Sequence, residues 1–364
     1  MAGTDAYPGE PPTTMTDEEY GAVRTAAALW AGAAVLITDA HGRVLVQHVD
    51  YHGMCRLPGG AVDRGESPAH AASRELHEEL GVTATVRHAL AVDWVPATAS
   101  GAPAGMRFPG ETIFVYDGGT WDSAQIAGIR LPDHEITGIG FVEPARLPEL
   151  LSPGDARRAL SALRARINAA GPAILEDGRP IAPTVLDRVQ VLHTTRAVHH
   201  FGWRPDPVPR GMPVVQSWGW LFAPDGRVLV LLGPGTGSAC LPGGTPEPQD
   251  GGNVVATLRR EADEEAAAHH GEPLFIGHLP DTDRARARVR LAAALTHVGP
   301  VRPDPATGHT YTRILTTPEQ ALELFDWGPS AGAQLDAVQE ARRRLGIPRA
   351  AAQPVTELAT PVTW

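Results

Sequence analysis

Apolar residues in this chain fall into short runs separated by turn-forming residues, in an order that predicts strands and helices without strict alternation. The runs Ala33 to Thr38 and Arg43 to His48 each read as a strand, and Asp39-Ala-His-Gly42 between them is a turn signal. After Leu57-Pro-Gly-Gly60, Ser67 and Pro68 open a helix as N-cap and first helical residue. Gly81 closes it in the left-handed position beyond the last turn. Further strands are predicted at Thr112 to Tyr116 and Ile136 to Val142, and helices at Arg157 to Ala169 and Thr184 to Leu192. This order suggests an α+β class built from layered domains.

The pattern occurs twice. Gly42-Arg-Val-Leu-Val46 returns as Gly226-Arg-Val-Leu-Val230, and Leu57-Pro-Gly-Gly60 as Leu241-Pro-Gly-Gly244, both 184 positions later. Arg74-Glu-Leu-His-Glu-Glu79 returns as Arg260-Glu-Ala-Asp-Glu-Glu265 after 186 positions, so the second copy carries two extra residues between its glycines and its helix. A length of 364 residues suits two domains with tails. The expected division is a loose tail over 1–26, a first domain over 27–198, a Pro-rich linker over 199–213, a second domain over 214–349 and a tail over 350–364.

Composition narrows the function. With 43% hydrophobic and 20% charged residues the chain is globular rather than disordered. Its net charge of -11 argues against binding a nucleic-acid backbone, and an anionic small molecule would need a divalent cation to mediate its approach. The apolar run from Thr25 to Thr38 is too short to span a bilayer and lacks the flanks of a signal peptide. The two cysteines, Cys55 and Cys240, supply neither a disulfide framework nor a zinc site, which fits a reducing, cytoplasmic setting. Nothing in the sequence speaks to oligomeric state.

The chemistry concentrates between Gly60 and Val82. Glu75, Glu78 and Glu79 stand at i, i+3 and i+4, so one helical face carries three like charges that destabilise one another unless a cation joins them. A hard ion such as Mg²⁺ takes carboxylate and water oxygens and leaves positions open for phosphate. Gly59-Gly60 lets the backbone pass close to such a site without a Cβ in the way. Arg74 can pair with Glu78 by ordinary helix geometry.

Gly60, Glu66, Arg74, Glu75, Leu76, Glu78, Glu79, Gly81 and Val82 match every fixed position of the Nudix box, and the chain resembles a tandem, MutT-like Nudix hydrolase. The resemblance implies an α/β/α sandwich around a mixed sheet in each half. It also implies Mg²⁺- or Mn²⁺-dependent hydrolysis of a nucleoside diphosphate linked to some moiety X, a nucleoside triphosphate being the first expectation. It implies that Glu75, Glu78 and Glu79, with the Gly60 backbone, form the metal site, that Arg74 orients a catalytic glutamate, and that Glu66 braces the loop against the helix or contributes indirectly to metal binding. Glu135, six residues before Phe141-Val142, matches a late-loop glutamate that serves relatives as metal ligand or base; a solvated loop carboxylate is the plainer account.

The second copy departs from this pattern. Gly244, Arg260, Glu261, Glu264 and Glu265 are kept, but Asp250 stands where Glu is expected, and Ala267 replaces the closing glycine, so the helix is expected to run on toward Gly271. His309 aligns with Glu135. A second hydrolase, a nucleotide-binding regulatory module and a structural half all remain open for this half. For the whole chain the rivals are a nucleotide sensor on the same scaffold and an ADP-ribose or nucleotide-sugar hydrolase.

Overall fold

The computed structural model describes residues 29–97 except 52 and 87, 110–188, and 202–364 except 236, 282, 283, 326, 328 and 329, together with Glu19 and Ala22. The expected N-terminal tail, the end of the Thr184 to Leu192 helix and the start of the linker lie largely outside these residues.

Eight strands form the first sheet: β1 (Trp30–Asp39), β2 (Val44–Val49), β3 (Gly59–Ala61), β4 (Ala89–Pro96), β5 (Gly110–Trp121), β6 (Ile136–Val142), β7 (Ala173–Glu176) and β8 (Arg179–Pro180). Their order is β6-β2-β1-β5-β4-β7-β8, with β3 also on β1. The β1–β5 and β4–β7 pairings are parallel and the others antiparallel, so the sheet is mixed. Gly42 closes the β1–β2 turn at φ 75°, while Asp39 Oδ1 accepts from the amides of His41 and Arg43.

Successive side chains of β1 point to opposite faces. Ala33, Val35 and Ile37 pack on Ala71, Leu76 and Leu80 of the helix Pro68–Leu80. Leu36 faces the other layer with Val115, Ala159 and Leu163, the last two from the helix Pro153–Asn168. That helix begins four residues earlier than the sequence predicts, because Ser152 caps it and Pro153 fits its first turn. It ends at Ala169 in the left-handed region at φ 53°.

The second sheet repeats the wiring. It comprises β9 (Val214–Phe222), β10 (Val228–Leu232), β11 (Ala239–Cys240), β12 (Gly243–Gly244), β13 (Ala268–His270), β14 (Leu274–Pro280), β15 (Ala287–Val298), β16 (Thr312–Thr316), β17 (Thr356–Glu357) and β18 (Val362–Thr363). Strand β9 pairs parallel with β15 and antiparallel with β10 and β12, as β1 does with β5, β2 and β3. β10 pairs with β16 and β14 with β15, as β2 does with β6 and β4 with β5. Leu258, Ala262 and Ala266 of the helix Val254–Ala266 cover one face.

Three expectations change. The helix Val254–Ala266 does not run on to Gly271: Ala267 adopts φ 50°, ψ 37° and caps it, and β13 follows at once. The expected C-terminal tail, residues 350–364, is tied into the second sheet, because β17 pairs with β16 and β18 with β15, giving their backbone groups partners. The described part of the linker is held too, since Arg204 exchanges backbone hydrogen bonds with His278 and Trp203 packs on the core.

One apolar core is continuous across the halves. Leu36, Leu147 and Leu163 belong to the same buried cluster as Trp220, Phe222, Leu324 and Val338. At the junction, buried Asn168 accepts the Val355 amide on Oδ1 at 2.9 Å and the Gln320 side-chain amide on its carbonyl at 3.3 Å. Because an L side chain in the left-handed helical region costs roughly 1–2 kcal/mol, and glycine returns part of this through its freer unfolded chain, Ala169→Gly at its exposed cap is expected to stabilise the chain by about 0.5–1 kcal/mol. A shift of the urea midpoint to higher concentration checks this; Ala267→Gly should gain less, because it also removes a buried methyl group.

Candidate active site

The site forms where β3 meets the helix Pro68–Leu80. A Cβ on Gly59 would lie 2.1 Å from the Ala33 carbonyl oxygen, and one on Gly60 would lie 2.4 Å from Glu75 Oε1. Side-chain carbon at either position would break the contact between turn and helix. Ser67 Oγ accepts the His70 amide and Gly81 closes the helix at φ 67°, fixing the rotation that buries Leu76 and Leu80. Glu75 and Glu79 are thereby turned toward the glycine turn.

Glu79 is only 4% exposed. Its Oε2 accepts the Gly59 amide at 2.8 Å and its Oε1 accepts the Gln47 side-chain amide at 2.5 Å. Burial pushes its carboxyl up to about 8, a rise opposed by the Gly59 amide and reinforced by the charges of Glu75 and Glu135. Glu75 rises to about 7, mainly through burial and against the pull of Arg74. Glu78 lies on the solvent side, 54% exposed.

Arg74 joins the loop to the helix. Its Nε and Nη2 form a two-pronged contact to Glu66, both at 3.1 Å, and Nη2 also donates to the Ala61 carbonyl at 3.0 Å. Nη1 donates to Glu75 at 2.9 Å and to Glu78 at 2.7 Å. The i+4 pairing and the orientation of Glu75 are therefore properties of one guanidinium. Glu66 is held below the usual carboxylate range, chiefly by its hydrogen bond to Arg74.

Glu135 adopts φ 70°, a strained backbone for a residue with a Cβ. Asp50 fixes it there, donating its amide to the Glu135 carbonyl at 2.9 Å and accepting the Glu135 amide at 3.3 Å. The Glu135 charge raises both Glu75 and Glu79, so it shares their field. Sequence reading missed Gln47 and Asp50, because one glutamine inside an apolar strand carries no signal until its neighbour across the fold is known.

All donors near this turn are hard oxygens, which suits Mg²⁺ or Mn²⁺. Among the described residues no three His, Cys, Asp or Glu side chains are drawn together into a ready-made cage. A hydrated magnesium ion needs only one or two carboxylates and keeps its waters. Buried acids with pKa near 7 and 8 fit such an ion, since its charge would offset the repulsion that raises them.

The second half reproduces much of this frame. Arg260 grips Asp250 with Nε and Nη2, both at 3.1 Å, and reaches Glu261 and Glu264. The two extra residues fall between Asp250 and Arg260, where Gly251 and Gly252 both take positive φ and lengthen the approach of the helix; Asp250 ends the short turn Pro248–Asp250 and is held at about 2, chiefly by its contact with Arg260. Glu265 accepts the Gly243 amide at 2.9 Å and rises to about 8 through burial. A Cβ on Gly244 would lie 2.4 Å from Glu261. His309 is exposed, as Glu135 is, and the loop charge that raises Glu265 comes from buried Asp304.

The sequence profile of the NUDIX domain matches residues 28–163. Residues 28–163 form a NUDIX domain. Similar proteins include an RNA pyrophosphohydrolase of Azorhizobium caulinodans, 35% identical over 65 residues, or 18% of this chain and 39% of that protein. Another, of Brucella ovis, is 36% identical over 67 residues, 18% of this chain and 34% of that protein. The chain thus spans about two-fifths or less of the length of these relatives. Among solved structures, a MutT protein from Methanosarcina mazei Go1 has 20% identity and a TM-score of 0.30, covering 38% of this chain and 93% of that one. An ADP-ribose pyrophosphatase from Streptococcus suis 89-1591 has 18% identity and a TM-score of 0.31, covering 40% and 98%.

The raised acids predict a pH dependence of the metal-free NUDIX domain. Glu75 and Glu79 hold protons more tightly folded, near 7 and 8, than at their ordinary 4.5. Their contribution is fully present below about 4.5 and is lost as pH rises through 7 and 8. With a chelator present, the melting temperature should fall between pH 5 and 8.5, less steeply in Glu79→Gln, and Mg²⁺ should restore part of it at pH 8. Parallel melting curves for the two proteins across that range would contradict this.

Proposed function

We propose that the first half is a metal-dependent pyrophosphohydrolase cleaving a nucleoside diphosphate linked to a moiety X, with nucleoside triphosphates the first substrates to test. The observation that carries the proposal is the unbroken frame from Gly60 to Val82, in which one guanidinium holds Glu66, Glu75 and Glu78 while Glu79 is anchored to the Gly59 amide. A sensor that no longer hydrolyses would tolerate loss of these residues, and this half has lost none.

A bound Mg²⁺ or Mn²⁺ supplies charge neutralisation at the pyrophosphate and acidifies an attacking water. Glu79 and Glu75 would hold that ion, with Glu78 at the solvent side. Glu75, oriented by Arg74, or Glu135, whose charge Glu75 feels, would take the proton from the water. Arg74 keeps Glu75 directed at the Gly60 backbone instead of into solvent.

The second half is proposed to be a further Nudix-type unit, on the strength of the repeated strand pairings and the Asp250–Arg260 fork. No described helix is long and apolar enough to cross a membrane, and the two unpaired cysteines suit a reducing compartment. The names of the curated relatives add RNA to the substrates worth testing beside nucleoside triphosphates, ADP-ribose and nucleotide sugars. In such a panel with Mg²⁺ or Mn²⁺, Glu79→Gln should lower kcat by about 10²-fold or more, and Glu135→Gln by a smaller factor. Wild-type turnover in Glu79→Gln would remove the assignment.

A further inference from the structure

The wall beside Glu79 differs between the halves. Gln47 on β2 and Arg56 face each other across the strands, exchanging backbone hydrogen bonds of 2.9 and 3.0 Å, which puts both side chains on one face of the sheet. Gln47 is 1% exposed and spends its amide on Glu79, leaving its Oε1 buried without a partner among the described residues. Such an orphaned acceptor is costly unless a donor arrives. Arg56 is exposed, lies over the Tyr51 ring at 5.6 Å and pairs with no described carboxylate. It is a cation without an acidic partner among the described residues, across the strands from Gln47.

In the second half the same two positions, 184 residues on, are Leu231 and Cys240, paired across β10 and β11. Leu231 is fully buried and can neither donate to Glu265 nor accept from a ligand. Burial, followed by the charge of Glu265, pushes the Cys240 thiol up to about 12, so it is neutral. The carboxylate frame is thus duplicated, whereas the amide and the cation next to it are not.

We propose that Gln47 and Arg56 form the recognition wall of the first site, Arg56 taking an anionic phosphate group of a nucleotide and Gln47 Oε1 accepting from a donor on the same ligand. Leu231 and Cys240 withdraw that recognition from the second half. The two sites then differ in ligand affinity although their carboxylates match. The inference rests on the reading of the first half as a nucleotide-phosphate site, and it makes Arg56 a binding residue with no part in the chemistry.

The test is calorimetric titration of the full chain with α,β-methylene-ADP in Mg²⁺ at low and moderate salt, alongside nucleoside-triphosphate turnover. Arg56→Gln should weaken binding about tenfold and flatten its salt dependence. Arg56→Lys should stay within about threefold of wild type, and in turnover Arg56→Gln should raise KM with kcat little changed. The wild type should bind one equivalent. Unchanged affinity in Arg56→Gln, failure of Lys to rescue, two equivalents of equal affinity, or no wild-type binding would each overturn the proposal. Binding of one equivalent without cleavage of any nucleotide would instead remove the hydrolase reading and leave this one standing.

Discussion

Like charges on a single helical turn repel, and the first half confines two of them, Glu75 and Glu79, against a turn that has no side chains, with Glu78 beside them at the surface. The constraint that permits this is spatial as much as electrostatic: Glu75 occupies the volume a Cβ at residue 60 would fill. Arg74 offsets part of the repulsion by contacting Glu66, Glu75 and Glu78 at once. What it leaves uncompensated is concentrated on Glu79 and Glu75, the two acids that burial raises most strongly in this half. The same tension that weakens the metal-free fold is what gives a cation something to bind.

The rest of the first half keeps this turn and helix in register. Alternating residues of β1 anchor the helix Pro68–Leu80 on one side and the helix Pro153–Asn168 on the other. Strand β2 carries Gln47 to Glu79, and the loop before β6 carries Glu135, fixed by Asp50. The second half enters the same apolar core, and its C-terminal segment hooks onto Asn168, so the halves share packing as well as a repeated sequence pattern. A change in one half is then felt in the packing of the other.

The duplicated frame separates two properties that a motif merges. Holding carboxylates together requires the glycine turn, the arginine and a partner acid, and Asp250 with a longer loop serves as well as Glu66. Recognising a ligand requires neighbours outside the motif, and those are the positions where the halves diverge.

The sequence by itself determined the first carboxylate cluster, its capped helix, the glycine turn and the repeat, because these depend on residues close together in the chain and on fixed helical and strand periods. Glu135 was a candidate only through the family resemblance, and the fold adds its strained backbone and its shared field with Glu75 and Glu79. Gln47, Asp50, Asp304 and Arg56 became legible only in three dimensions, since each acts on a residue many positions away or on a neighbouring strand. The ordering of residues 350–364 and the end of the second helix at Ala267 likewise belong to tertiary structure. Strand partners for the first, and the immediate start of β13 after the second, override what local propensity would choose.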